Sequence, residues 1–431
     1  MKKVIIIGSG AGGATVAKML SPHFDVTVLE AGGTFRPLSL PLDTLASLRA
    51  TGLYFDPRLI SLILPNMRIA KTPDQVVVFG QGLGGTTTLA TGNAIRADQS
   101  LKEIGINLDD EFAELYRELP ITTDHQRHWN DVTRRTFSTM QDLGFDPQPM
   151  PKFLRTAKCR LCGHCSIGCP YGAKWDTREL LDGIRVLTHC RVEKLETDDG
   201  RVTRVIARQG LRTLTFEADL VVLAAGGLGT PQVLSQSGIA CQPHLFVDPV
   251  LCVAAPMANV RQNRQLLMPF VSHRQGYILS PYMDWLSFFF NRQWRKPMNQ
   301  MVSLMIKMAD EEQGSVEYSK STLYSKSTLR GKVRKTLTDR DQKILNHGVT
   351  DCRKILLSMG AREEDIIIGT LNSGHPGGML PLTKAEASTL HHSSLPDNLY
   401  VADASLLPQS LGLPPMLTIM ALAKRIAKLI G

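Results

Sequence analysis

Four cysteines, Cys159, Cys162, Cys165 and Cys169, fall within eleven residues, in the run CRLCGHCSIGCP that closes on Pro170. Their C-x2-C-x2-C-x3-C-P spacing is one that wraps thiolates around an iron–sulfur cluster. A loop this short aims several sulfurs at one inorganic centre, which scattered cysteines reach only by ordering much more chain. Zinc sites favour two separated cysteine pairs, and disulfides at two-residue spacings are strained, so both rank below a cluster. A loop that keeps the spacing without metal is the remaining reading. No second run exists to share ligands, so Cys169 either completes a 4Fe-4S centre or stands aside from a 3Fe-4S one. His164, inside the run, is expected at the surface.

A second group of residues has the chemistry of a dinucleotide site. Gly8, Gly10 and Gly13 form G-x-G-x-x-G, and Glu30 follows at the distance of a ribose-binding acid. The glycines permit a tight turn, close approach to a pyrophosphate and close helix-to-strand packing. The elements needed to position them are legible. Residues 4–7 are a continuous apolar, β-branched run, residues 14–20 read as a helix, and Asp25–Leu29 returns as a strand that ends at Glu30. A second glycine cluster, Gly80, Gly82, Gly84 and Gly85, follows a short strand at 76–79 and opens GQGLGGTTTLATGNAIR. Residues 33–75, rich in Pro and Leu, are expected to wrap the surface. Residues 201–219 alternate like antiparallel strands and lead into LVVLAAGG, a second buried strand that meets glycine. Residues 240–330 read as a separate lobe of strands and aromatics. Thr338 is expected to cap a helix that runs to Gly360, with Asp339 and Asp341 in its first turn.

These motifs occur in a particular order. GQGLGGTTTLATGN, AAGGLGTPQVLSQSG and NLYVADASLLPQSLGLPPMLTIMALAKRIA follow the N-terminal glycine turn, and in that order the chain resembles the glucose-methanol-choline (GMC) flavoprotein oxidoreductases. The resemblance implies an α/β (α+β) fold, with a Rossmann-like FAD-binding domain interleaved with a substrate domain built on an antiparallel sheet. The expected divisions are 1–100 (FAD-binding), 101–185 (connecting, with the cysteine loop), 186–240 (FAD-binding), 241–370 (substrate or cap) and 371–431 (FAD-binding, with the active-site segment). It further implies FAD contacts from Gly82, Gly84, Gly85, Thr86 and Asn93, adenine contact at Val192, and approach of Asp403 to the cofactor. The helix after Pro414 and Pro415 would aim its positive end at the flavin. The family's catalytic base maps to His375 in SGHPGG: a neutral imidazole takes the hydroxyl proton while the hydride leaves for flavin N5. The family's second active-site group, a His or Asn, aligns with Pro414, which has no side-chain hydrogen bond to offer. Multi-subunit sugar dehydrogenases of the family carry a cluster in a similar segment ending C-x3-CP, and YGAKWD at 171–176 looks like their continuation.

The implied activity is oxidation of a hydroxyl-bearing substrate, with electrons leaving through the cluster to an external one-electron acceptor or carrier protein. The proline at 414 keeps two alternatives open: a flavin-dependent carbon–carbon double-bond reductase or desaturase, and a non-catalytic electron-transfer subunit. MDWLSFFFNRQW at 283–294 would line an apolar pocket or form a core stripe. His391 and His392 are placed in a surface turn. The tandem YSKSTL at 318–329, with its Lys320 and Lys326 and with Arg330, Lys332, Arg334 and Lys335 after it, is a basic patch, either merely solvated or a dock for an acidic carrier.

At 431 residues, 43% hydrophobic and 21% charged, the chain can bury a large core without disulfide staples. Its net charge of +9 is modest for this length; it gives no case for nucleic acid and allows peripheral membrane contact. Cys190, Cys241, Cys252 and Cys352 lie singly and read as buried small hydrophobes in a reducing compartment. The apolar stretch after Met1 runs straight into a glycine turn and no segment reaches the length of a membrane span, so a cytoplasmic location is expected.

Overall fold

The computed structural model describes residues 1–37, 64, 66–291, 293–294, 300–311, 314–318 and 331–431. Residues 319–329 of the YSKSTL repeat lie outside them.

Two sheets carry the architecture. The first is a parallel sheet with strand order Leu399–Val401, Leu220–Leu223, Lys3–Ile7, Asp25–Leu29, Arg185–Leu187. Its strands are short apolar runs because both faces are covered, as the run of buried residues along each of its central strands shows. Val4, Ile6, Val28 and Leu223 are fully buried, each contributing about 1.5–3 kcal/mol over an exposed side chain. The helices Ala11–Leu20 and Met416–Ile430 pack on this sheet and on each other. Beside it, Cys190–Asp198, Arg201–Gln209 and Arg212–Glu217 form a three-stranded antiparallel meander, as the alternation at 201–219 predicts.

The second sheet has nine strands. Its path runs Met67–Lys71, Val76–Gly80, Asn372–Gly377, Phe246–Pro256, Met301–Met308, Tyr277–Pro281, Phe270–Arg274, Gln148–Pro149, with Ile367–Ile368 paired at the side. All contacts are antiparallel except that of Asn372–Gly377 with Val76–Gly80. The helix Asp339–Ser358 covers one face. Thr338 caps it, its hydroxyl accepting from the Asp341 amide while the Asp341 carboxylate accepts from the Thr338 amide.

Several expectations change here. The segment 33–75 does not only wrap the surface, since Met67–Lys71 pairs with Val76–Gly80 as an edge hairpin. Those two strands, and the segment bearing His375, lie in the second sheet. Lys335 is not part of a surface patch: it is buried against Asp310 at 2.7 Å, because the strand Gly331–Arg334 turns it inward. His392 is also buried, its ring nitrogen accepting from the Ser394 amide and facing the Ser394 hydroxyl as the turn folds onto itself.

Candidate active site

Between the two sheets lies an elongated cavity of about 400 Å3. Gly8, Gly10, Glu30, Gly85, Thr86, Asn93, Val192, His375, Asp403 and Pro415 are on its wall, while Gly13, Gly82 and Gly84 stand behind it. The first glycine turn is sterically obligatory. Gly8 has φ +104° and a Cβ there would lie 2.3 Å from the Ala224 carbonyl oxygen; a Cβ on Gly13 would lie 2.1 Å from that of Gly8. Gly12, which the fingerprint does not single out, is tighter still, with the Ala402 oxygen 1.5 Å from a Cβ position. Gly85, at φ +54°, sits so close to Gly10 that a Cβ would be 2.9 Å from its Cα. The two glycine loops therefore touch, and a ligand lying along them meets bare backbone from both.

Glu30 ties these loops together. Its Oε2 accepts from the Ser9 amide (3.1 Å) and hydroxyl (2.6 Å), and its Oε1 accepts from the amides of Gly32 (2.8 Å) and Gly82 (3.1 Å). Thr86 braces the second loop by accepting from the Gly80 amide at 2.9 Å. Asp403 joins the C-terminal segment to the glycines at 226–227, accepting from the Gly226 amide and the Thr230 hydroxyl, with the Ser405 amide on its other oxygen. Burial raises its pKa in spite of those donors. The helix Met416–Ile430 starts at Pro415 without a side-chain cap, and Pro414, Pro415, Met416 and Ile419 line the cavity, so its positive end is turned toward it. Touching glycine loops, an acid at the end of the second strand and uncapped helix ends are what an extended, anionic dinucleotide requires, and FAD fits this cradle.

His375 sits where the second sheet meets the cavity. Its strand pairs Phe246 with Gly377 and Asp248 with Gly374, a register break that leaves His375 and Pro376 in a bulge, with His375 at φ +55°. Such bulges re-aim a side chain, and a non-glycine residue at positive φ persists only where its surroundings hold it. Nδ1 lies 2.8 Å from Asp248 Oδ2, and 28% of the side chain is open to the cavity. Lys307 donates to that same oxygen, and Ser410 and the Gly412 amide donate to Oδ1. Burial alone would raise the Asp248 pKa, but the Lys307 ammonium and the His375 hydrogen bond hold it at about 2. Burial lowers the pKa of His375, the Asp248 hydrogen bond opposes this, and Lys307 adds to the lowering. Since Asp248 is ionised, Nδ1 carries the hydrogen and Nε2 is the proton acceptor.

The cysteine loop borders the same cavity. No disulfide joins any of the eight cysteines, and the four of the run are half-buried, with Cys159, Cys165 and Cys169 beside Leu154, Ala173 and Leu266. Ser166, one residue after Cys165, is part of the cavity wall. Among the described residues no three His, Cys, Asp or Glu side chains close on a single ion. A cluster makes a looser demand, because each thiolate binds its own iron. Two buried lysines lie beside the loop, and Lys174 bonds it directly. Lys174 donates to the carbonyls of Thr87, Thr88, Ala90 and Cys165, and Lys152 to those of Thr91 and Leu267 and to Asn93 Oδ1. Burial lowers their pKa values to about 8 and about 7. Asn93 is thereby occupied, donating to the Met268 sulfur and accepting from Lys152. His164 is 6% exposed rather than at the surface, because the loop folds back on the protein.

The family models for the N- and C-terminal parts of GMC oxidoreductases match residues 3–266 and 310–423. The chain belongs to the GMC oxidoreductase family. It is thus an FAD-dependent oxidoreductase of the CH–OH type. A relative in Methanocaldococcus jannaschii is 26% identical over 98% of both chains. A long-chain-alcohol oxidase of Arabidopsis thaliana is 23% identical over 99% of this chain and 66% of its own, and an (R)-mandelonitrile lyase of Prunus serotina is 27% identical over 56% and 43%. In fold the chain is similar to pyridoxine 4-oxidase from Mesorbium loti, with TM-score 0.71, 16% identity and 99% of both chains covered. No described helix is long and apolar enough to cross a membrane.

Within this GMC site, Asp248 and Lys307 are the residues that motif reading passes over. Each is the single charge in a buried, mostly apolar strand, FVDPVLCVAAP and MVSLMIKM. That is a usable signal, because a charge inside a buried strand must be paired. Their choice of each other and of His375 is not written in either segment. The aromatic run divides as well: Trp285 and Leu286 face the cavity, whereas Phe288 and Trp294 are core.

Proposed function

We propose that this GMC oxidoreductase is a dehydrogenase of an apolar alcohol, with His375 as the base and the cysteine loop as the exit for electrons. The observation that carries the first part is the His375 imidazole on the cavity wall, its Nδ1 held by an ionised carboxylate and its Nε2 left to accept a hydroxyl proton. Bound FAD supplies the two-electron acceptor for the carbinol hydride. His375 takes the hydroxyl proton as the hydride departs, so no free alkoxide accumulates, and Asp248 stabilises the resulting imidazolium. Burial keeps the imidazole neutral beforehand, in the form that can act. Around it, Met268, Tyr282, Trp285, Leu286 and Met305 exclude water and favour an apolar substrate. The name of the long-chain-alcohol oxidase relative points the same way.

In this reading Cys159, Cys162, Cys165 and Cys169 hold a 4Fe-4S or 3Fe-4S cluster, whose chemistry is one-electron transfer to an external carrier. Support comes from their spacing, from Ser166 on the cavity wall, and from two buried lysines, Lys152 and Lys174, whose hydrogen-bond acceptors include no carboxylate. Eight cysteines with no disulfide among them fit a reducing, cytoplasmic setting. Pro414 keeps one rival alive, the reduction of an activated carbon–carbon double bond, which needs no second hydroxyl-binding group.

The test is anaerobic purification with iron, sulfide and EPR analysis, followed by flavin bleaching against a panel of alcohols and enones. Bleaching by medium- and long-chain primary alcohols, abolished in His375→Gln with FAD still bound, is expected. Full bleaching in that variant would sink the base assignment. Oxidation of the dithionite-reduced flavin by enones, without alcohol turnover, would establish the rival.

A further inference from the structure

Asp248 and Lys307 are brought together by register. Val250 pairs with Lys307 across adjacent strands, which puts Asp248, two residues along on the same face, diagonally opposite the lysine. The pair is buried at 1% and 2% exposure. Lys307 also reaches the cavity wall, which carries His375 and Pro414 as well. The carboxylate spends Oδ1 on Ser410 and Gly412, in the loop before the C-terminal helix, and divides Oδ2 between Lys307 and His375.

An unshared carboxylate beside an imidazole raises its proton affinity and leaves it protonated before substrate arrives, which disarms it as a base. A cation on the same oxygen opposes that. We propose that Lys307 is a positioning residue for this chain, tuning the His375 base through their shared hold on Asp248, in a site where Pro414 has no side-chain group to contribute. The inference rests on His375 being the base. Among the described residues, Asp248 from one neighbouring strand and Lys307 from the next are the charged groups bearing on the imidazole, and the 410–412 loop gives Asp248 only uncharged donors.

The experiment is titration of the His375 ring by NMR in 15N-histidine-labelled holoenzyme, the resonance assigned with His375→Gln, alongside the pH profile of anaerobic flavin reduction. In Lys307→Met the imidazole is expected to titrate on the order of one pH unit higher than in wild type, and the acid limb of flavin reduction to move up with it. Lys307→Arg should return both toward wild type. An unchanged titration in Lys307→Met, even with a lower rate, overturns the proposal and leaves Lys307 as packing. If Lys307→Met does not fold, Asp248→Asn and Asp248→Asn/Lys307→Met carry the comparison: His375 must titrate higher in the double variant, and equal values refute the coupling. A shifted titration without alcohol bleaching would remove the alcohol reading and keep the coupling; bleaching without the shift would do the reverse.

Discussion

Replacing Asp248 by Asn leaves the side chain its shape and removes its charge from beneath Lys307 and His375. Two magnitudes follow. The carboxylate is held at about 2, against an ordinary 3.8, so the native state gains about 2 kcal/mol from its ionisation. That gain is fully present above pH ~4 and is lost as pH falls through ~2, because a depressed acid favours folding only while it is ionised. Removing the partner adds more, since it leaves the Lys307 ammonium buried and uncompensated, a loss of about 3–5 kcal/mol at neutral pH. Against typical stabilities of about 5–15 kcal/mol this is a large fraction. The pH dependence has a definite sign. In Asp248→Asn the buried lysine binds its proton less tightly than in the unfolded chain, so stability should rise from pH 7 toward pH 10, while the wild-type slope between pH 4 and pH 2 should flatten. Urea unfolding followed by circular dichroism at pH 3, 7 and 9.5 reads all three points. The double variant Asp248→Asn/Lys307→Met should recover part of the loss at pH 7, because no charge is then left without a partner. A single variant as stable as wild type, or a double variant no better than the single, would refute this account of the pair.

Gly12→Ala should abolish FAD binding and most soluble yield, since the added methyl would lie 1.5 Å from the Ala402 oxygen and helix cannot separate from strand without opening the cofactor cradle; ordinary flavin content after purification would contradict this. Lys174→Met removes a buried cation beside the cysteine loop, so a cluster held there should become harder to reduce, a more negative midpoint in EPR-monitored titration, with flavin content retained. An unmoved midpoint would show that Lys174 only braces the loop carbonyls.

Much of the cofactor cradle follows from local pattern. The glycine turn with Glu30, the capped helix after Thr338 and the apolar C-terminal helix each declare themselves within a few residues, because turns, caps and helical periodicity are short-range effects. Even the proline break ahead of the last helix is visible, and the structure turns it into an uncapped helix end on the cavity.

Sheet membership is not local in this way. Val76–Gly80 and Asn372–Gly377 look like short strands in the chain, yet only folding lays them side by side and brings His375 to the cavity in a bulge. His375 could be nominated as a base from SGHPGG. What would make it one, the carboxylate 127 residues away and the lysine that shares it, is decided by strand register across the second sheet. The cysteine run divides the same way. Its spacing, the ground for proposing a cluster, is read from the chain alone, whereas the contact of Ser166 with the cofactor cavity and the burial of His164, Lys152 and Lys174 exist only once distant segments pack around the loop. A side chain's type is local, but its partners, and with them its charge state, belong to the tertiary structure.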